Sequence, residues 1–312
     1  MRILTLIASA VTVLAQAPPP PAMPGLNLPV EQLRKQYQHY GVGKRLIPKQ
    51  WPKGARVAVA LSFDVDNATV PLSRGNLGSE DLSRGMYGAI DGLPRILRML
   101  DRQNVPASFF IPAVSVLLNP EIPQEILASR RHEIGVHGWI HEHLGTLNDE
   151  AAEQTLLDKS IETLTKAMGR RPVGYRAPSW AMSLFTLGQV KAAGFLYDSS
   201  LMASDSAYEV TIDGTPSGVI ELPIERILDD APYYGASNGS LPSPELVDQI
   251  YRAEFDVAYR EGGLYVLTMH PHYTGHRSRV LWLEKLILYM KSKPGVWFAT
   301  HEEIAAFLKK SV

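Results

Sequence analysis

Residues able to do chemistry fall in five short clusters of this 312-residue chain. SFDVDN (residues 62–67) ends an apolar run in two carboxylates, Asp64 and Asp66. On a regular strand their side chains share one face, because strand side chains alternate with a period of two. Two like charges that close raise one another's pKa or require a cation; the same spacing also suits a loop cap beside a solvated acid. HGWIHEH (137–143) offers His137 and His141 at i, i+4, a spacing that places both on one face of a helical turn and suits a metal. His143 is a rival partner, since His141 and His143 would share a strand face. With nine histidines in the chain, one such pair is a weak signal alone. Together the clusters say more. One aspartate and two histidines make three protein ligands with a position left for water, the arrangement of a catalytic rather than a closed structural site. The remaining acid is then free to act as a general base.

RAPSW (176–180) places Arg176 where it could orient a carboxylate through a bidentate pair. Pro178 fixes the backbone there, and an N–H just after it could serve an oxyanion. LTMHPH (267–272) puts His270 directly after a strongly apolar run, where an imidazole could protonate a leaving amine. ILDD (227–230) could hold that histidine protonated, and sequence does not separate Asp229 from Asp230. Trp139, Trp180, Tyr233 and Tyr234 lie near these clusters and could stack on a sugar ring, although ordinary packing also uses such residues.

The elements that must position these groups alternate from about residue 55 onward. ARVAVALSFDVD, ASFFIPA, HEIGVHGW, GYRAPSW, FLYDSS, VIELPIE, GLYVLTMHPH and GVWFAT read as strands. Helical spacing fills 88–103, 121–131, 149–168, 183–193, 243–260, 279–292 and 301–310. About seven β–α alternations with no second linker predict a single α/β domain with parallel strands, as a closed barrel or an open sheet. In both, the polar residues recur just past the C-terminal strand ends, where such folds carry their sites. No glycine-rich phosphate loop follows an early strand.

Composition narrows the classes. Lys+Arg 31 against Asp+Glu 32 gives a net charge of −1, which offers nothing to nucleic acid. Cysteine is absent, which excludes disulfides, thiolate metal sites and cysteine nucleophiles. Residues 3–15, ILTLIASAVTVLA, are too short a run to span a membrane comfortably and read as the core of a secretory signal peptide, assigned to residues 1–17. APPPPAMPG follows, so residues 18–51 read as a proline-rich linker and N-terminal extension, and 52–312 as the catalytic domain. A secreted or periplasmic protein with no stable membrane insertion after signal cleavage is expected.

The order SFDVD, HGWIHEH, RAPSW, ILDDAPYY, LTMHPH resembles the polysaccharide deacetylase family with the NodB homology domain, also called carbohydrate esterase family 4. The resemblance covers nearly all of residues 52–310. It implies a distorted (β/α) barrel of about seven strands and metal-assisted amide hydrolysis with zinc as the first candidate metal. Asp64 would be the base, Asp66, His137 and His141 the ligands, and Arg176 the group that positions the base. The Ser179 N–H would help bind the oxyanion, with Trp180 against the substrate. His270 would be the acid, steered by Asp230 or Asp229, with Asp230 preferred. The family's common first motif sets two aspartates side by side before a Gly; here Val65 separates them and Asn67 replaces the Gly. This form is similar to the peptidoglycan deacetylase-like and allantoinase-like subgroup. The implied substrate is an N-acetylated cell-wall-type glycan (N-acetylglucosamine or peptidoglycan), with small cyclic amides (ureides or imides) as the alternative. A carbohydrate-binding protein that has lost catalysis is the third possibility.

Overall fold

The computed structural model describes residues 24–235 and 241–311. The chain forms two compact units, residues 1–37 and 38–312. The first contains a 3-10 turn, Pro24–Asn27, and the helix Val30–Tyr37, none of whose side chains is buried. The expected signal peptide, residues 1–17, lies outside the described residues.

The second unit is built on ten strands: β1 (Tyr40–Arg45), β2 (Val57–Asp64), β3 (Ser108–Ile111), β4 (Glu133–Val136), β5 (Gly174–Tyr175), β6 (Tyr197–Asp198), β7 (Tyr208–Ile212), β8 (Thr215–Glu221), β9 (Leu264–Met269) and β10 (Val296–Phe298). They make one mixed sheet in the order β1-β7-β8-β6-β5-β4-β3-β2, with β9 also paired to β2. β10 pairs with residues 57–59 of β2 and β3 with residues 62–64, so two strands share its length. All contacts from β8 through β6, β5, β4, β3 and β2 to β9 and β10 are parallel. The sheet curls, and the chain following β8 comes back to β9 at a single parallel bridge, Asp229 to Thr268. This is the (β/α) barrel class that the family resemblance implies, one of the two arrangements the alternation allows.

Two strands depart from the purely parallel expectation. β7 and β8 form an antiparallel hairpin, and β1 adds antiparallel to β7. The hairpin turn is Asp213-Gly214, both at positive φ, the dipeptide and conformation that two-residue hairpin loops favour. β1 belongs to the stretch expected to be an extension. Its Gly43 lets the two backbones meet, since a Cβ there would lie 2.6 Å from the Glu209 carbonyl oxygen.

The helices Leu93–Gln103, Glu150–Met168, Pro244–Glu261 and Arg277–Lys291 place apolar faces on the sheet. Asp149 caps the second by accepting the Ala152 N–H at 3.0 Å, and Ser243 caps the third. Alternation along β2 decides where the site forms. Val57, Val59, Leu61 and Phe63 enter the larger core, and Val65 continues that phase beyond the strand. Ala58 and Ala60 face a second core with Phe110, Tyr197 and Val266. Ser62, Asp64 and Asp66 continue this second phase, so the strand delivers its polar groups to one side.

Candidate active site

A cleft of about 700 Å³ opens at the C-terminal strand ends. Asp64 and Asp66 lie on its floor, 2% and 3% exposed. Arg176, fully buried after β5, donates from Nη1 to Asp64 Oδ1 at 2.6 Å and to Ser62 Oγ at 3.0 Å. Its Nε donates to the Ser199 carbonyl at 2.9 Å, its Nη2 to Ser199 Oγ at 2.9 Å, and its guanidinium lies 4.0 Å above the Phe110 ring. Burial would raise the Asp64 carboxyl; Arg176, with His137 and His270, outweighs it and holds Asp64 below the usual carboxylate range. Asp64 is therefore an ionised carboxylate with one oxygen pinned and Oδ2 turned toward His137, 3.7 Å from its Nε2.

Asp66 has no arginine beside it; His270 Nε2 stands 3.7 Å from its Oδ2 but does not outweigh burial. Burial raises its carboxyl above the usual range. Its Oδ1 stands 3.5 Å from His137 Nε2 and its Oδ2 3.6 Å from His141 Nε2. One ligand atom from each of these residues lies within 4.8 Å of the others. His137 Nδ1 donates to the Arg176 carbonyl at 2.9 Å, which fixes the tautomer and leaves an Nε2 lone pair facing the acids. Burial lowers both histidines, His141 to about 4, so they offer neutral imidazoles. Asp66 Oδ1 is buried without a hydrogen-bond partner. An orphaned carboxylate oxygen between two lone pairs is a fit for a divalent cation held by Asp66, His137 and His141.

The helical turn expected for the histidine pair is not formed: residues 137–143 are a loop. Gly138 and His141 both take positive φ, and the Glu142 carboxylate accepts the Trp139 N–H at 3.0 Å and the Ile140 N–H at 2.8 Å. Loop geometry, rather than helical spacing, turns both rings inward. His143 is exposed and does not line the cleft.

The opposite wall carries His270. Its Nδ1 meets Asp230 Oδ1 at 2.6 Å, and its backbone N–H donates to Asp230 Oδ2 at 3.0 Å. Thr274 Oγ1 also donates to Asp230 Oδ2, at 2.6 Å. Asp229 Oδ1 lies 3.6 Å from the same Nδ1 and accepts the Ala231 N–H instead. The hydrogen-bonded partner is thus Asp230. Burial works against charge on His270, but Asp230 outweighs it and keeps the imidazolium well above its usual range. Burial also pushes Asp229 up to about 7.

Ser179 is exposed on the cleft rim at φ +53. Trp180 follows at φ +58, half-buried, with the Arg226 guanidinium 5.8 Å over its ring. Consecutive left-handed residues without glycine are strained, a cost that persists where surroundings hold the turn. Of the four aromatics singled out, Trp180 alone lines the cleft. Trp139 sits under Lys159 and Tyr234 under Arg279, while Tyr233 packs edge-on to Tyr251. Tyr273, which the sequence reading passed over, lines the cleft instead, as do Arg74, Arg84 and His272. His272 was visible in the LTMHPH cluster; the arginines carried no motif.

An arginine-paired carboxylate and an aspartate-paired histidine thus flank a group of metal-type ligands at the mouth of a (β/α) barrel. The model of the polysaccharide deacetylase family matches residues 86–197. A peptidoglycan deacetylase of Helicobacter pylori is 30% identical over 289 residues, covering 82% of this chain and 97% of that protein. A solved Mycobacterium smegmatis structure assigned to the polysaccharide deacetylases is 34% identical, with a TM-score of 0.77 over 86% of this chain and 95% of the other. The structure of Puue allantoinase shares the fold at 23% identity, TM-score 0.75, over 83% and 92%. The chain belongs to the polysaccharide deacetylase family and is a hydrolase of carbon–nitrogen amide bonds.

Proposed function

We propose that the protein removes N-acetyl groups from a cell-wall-type glycan, N-acetylglucosamine or peptidoglycan. The observation that carries this reading is the convergence in one cleft of arginine-paired Asp64, the Asp66–His137–His141 group and Asp230-supported His270. Asp64, ionised and oriented by Arg176, takes a proton from water as its oxygen attacks the acetyl carbon. The Ser179 N–H donates to the carbonyl oxygen as it gains charge. His270 gives the Nε2 proton to the departing nitrogen as the C–N bond breaks, and Asp230 stabilises the imidazolium before that transfer. Acetate and a free amine result. Held by Asp66, His137 and His141, a divalent ion such as zinc supplies Lewis-acid polarisation and lowers the pKa of water. Trp180 offers a face to the sugar ring.

Export fits this substrate, with residues 1–17 as signal peptide and 18–51 as linker and extension ahead of the catalytic domain. Among the described residues no helix is long and apolar enough to cross a membrane. The test is acetate release by the zinc-reconstituted protein from N-acetylglucosamine oligomers and peptidoglycan fragments, with Asp64→Asn alongside. Release that survives Asp64→Asn or removal of metal overturns the mechanism. A second reading, hydrolysis of small cyclic amides, draws on the cleft volume, which lies in the range of small-molecule sites. Ring-opening of a ureide or imide without acetate release would select it.

A further inference from the structure

Two side chains on the cleft wall have hydrogen-bonding capacity that nothing in the mechanism uses. Asn67, 5% exposed, follows Asp66 at φ +51. Its Nδ2 donates to Ser115 Oγ at 2.9 Å, which fixes the carboxamide and sends Oδ1 the other way. That oxygen is buried and has no partner. His272, 7% exposed, has its ring held against Tyr273, centroids 4.0 Å apart, and edge-on to His270 at 5.6 Å. Its Nδ1 is also buried without a partner. Both residues line the cleft.

The two residues are neighbours across Gly88. A Cβ built on Gly88 would lie 2.9 Å from Asn67 Oδ1 and 3.0 Å from the His272 Cβ, so only a glycine packs this closely on both. Gly88 opens the π-helical turn Gly88–Gly92, a local widening of a helix found often at functional sites. Buried polar atoms are nearly always paired in native proteins, so two orphans on neighbouring residues that both line the cleft mark a place for a ligand group.

We infer that Asn67 and His272 form a hydrogen-bonding subsite that holds a substrate hydroxyl or N–H next to the scissile amide. A hydroxyl satisfies both residues: it donates to Asn67 Oδ1 and accepts from an imidazole N–H. An N–H satisfies the asparagine, with a neighbouring carbonyl on the histidine. The inference rests on the amide-hydrolase reading above and extends it to what the enzyme recognises beyond the acyl group.

Three variants test it. Asn67→Gly removes the carboxamide and tolerates the positive φ. His272→Phe keeps a ring against Tyr273. Gly88→Ala presses a Cβ against both residues and should weaken the same preference. Zinc stoichiometry and thermal midpoint are measured for each, so that a disturbed fold or ligand set is recognised. Turnover and calorimetric binding are read with an N-acetylglucosamine oligomer and its form lacking the hydroxyl beside the acetamido group, and with a cyclic ureide and its N-methylated form. The wild type should prefer one parent over its blocked form by about tenfold in KM or Kd, the effect of one buried hydrogen bond. Asn67→Gly and His272→Phe should abolish that preference with zinc content unchanged, and the pair the wild type discriminates identifies the source. Equal handling of parent and blocked forms by the wild type, or a preference that survives both substitutions, overturns the subsite. If the wild type hydrolyses neither parent, the amide-hydrolase reading of these substrates fails, and the binding arm still decides the subsite: weaker binding by the variants upholds it, and equal binding or none overturns it.

Discussion

Two buried polar clusters meet at Arg176, and they behave differently. One is the cleft floor of Asp64, Asp66 and the histidines. The other lies toward the N-terminal ends of β3 and β4, where Ser108 and Glu133 are register partners. There His301, fully buried, links Ser108 Oγ at 2.8 Å to Arg176 Nη2 at 3.4 Å. Glu133 accepts from the Tyr197 hydroxyl and from the Glu302 N–H, the latter at 2.7 Å. Both carboxylate oxygens of Glu133 are occupied, whereas Asp66 Oδ1, Asn67 Oδ1 and His272 Nδ1 on the cleft side are not. Burial of charge is common to both clusters, so burial does not mark the reacting one. Unfilled valence with access to a cleft does.

The sharpest way to break this comparison is Asp64→Asn. Its turnover should fall about 10²–10⁴-fold, the range for a general base, with folding preserved; stopped acetate assays against thermal unfolding separate the two. Arg176→Met should act on both clusters. It strands Asp64 without its cation and removes the contact to His301, and loss of one partner of a buried ion pair costs about 3–5 kcal/mol. Denaturant midpoints measure that loss, and a midpoint within error of the wild type would show that the guanidinium serves chemistry alone.

Glu133 sharpens the contrast through pH. Burial, only partly offset by Tyr197 and the Glu302 N–H, pushes its carboxyl up to about 7 from an ordinary 4.5. The folded state therefore binds the proton more tightly than the unfolded chain. Stability from this group is complete below pH about 4.5 and is lost as pH rises toward about 7. Glu133→Gln should flatten that slope in urea titrations, with Asp64-dependent turnover retained. The smallest effect is expected at the sheet edge. Gly43→Ala drives a Cβ toward the Glu209 carbonyl and should cost about 1–3 kcal/mol, with turnover per folded molecule unchanged.

Much of this was legible in the residues because strand periodicity is strict. The DxD spacing placed both acids on one side of β2, as Ala58 and Ala60 before them require. Helix patterns anticipated the long helices because their apolar faces repeat. The histidine loop was legible in content but not in form: Gly138, His141 and the Glu142 carboxylate set its path, and a three-residue cap leaves no period. Asp229 and Asp230 are adjacent, so only the side-chain hydrogen bonds show which carboxylate turns under His270. β7 escaped notice although Asp213-Gly214 announces a hairpin, and β1 because its glycines look like linker. For Trp139, Tyr233 and Tyr234 the packing alternative holds, and sequence could not decide it because proximity to a motif says nothing about which wall a ring faces.

The bridge between Asp229 and Thr268 also bears on how the protein is made. A nascent chain that has emerged through β6 already carries Asp64, Asp66, both inward histidines and Arg176. It lacks the residues that close the seam, and with them the proposed acid and its partner. Ribosome-bound chains of that length therefore hold every proposed metal ligand yet lack the proposed acid, which emerges only with the final third of the polypeptide.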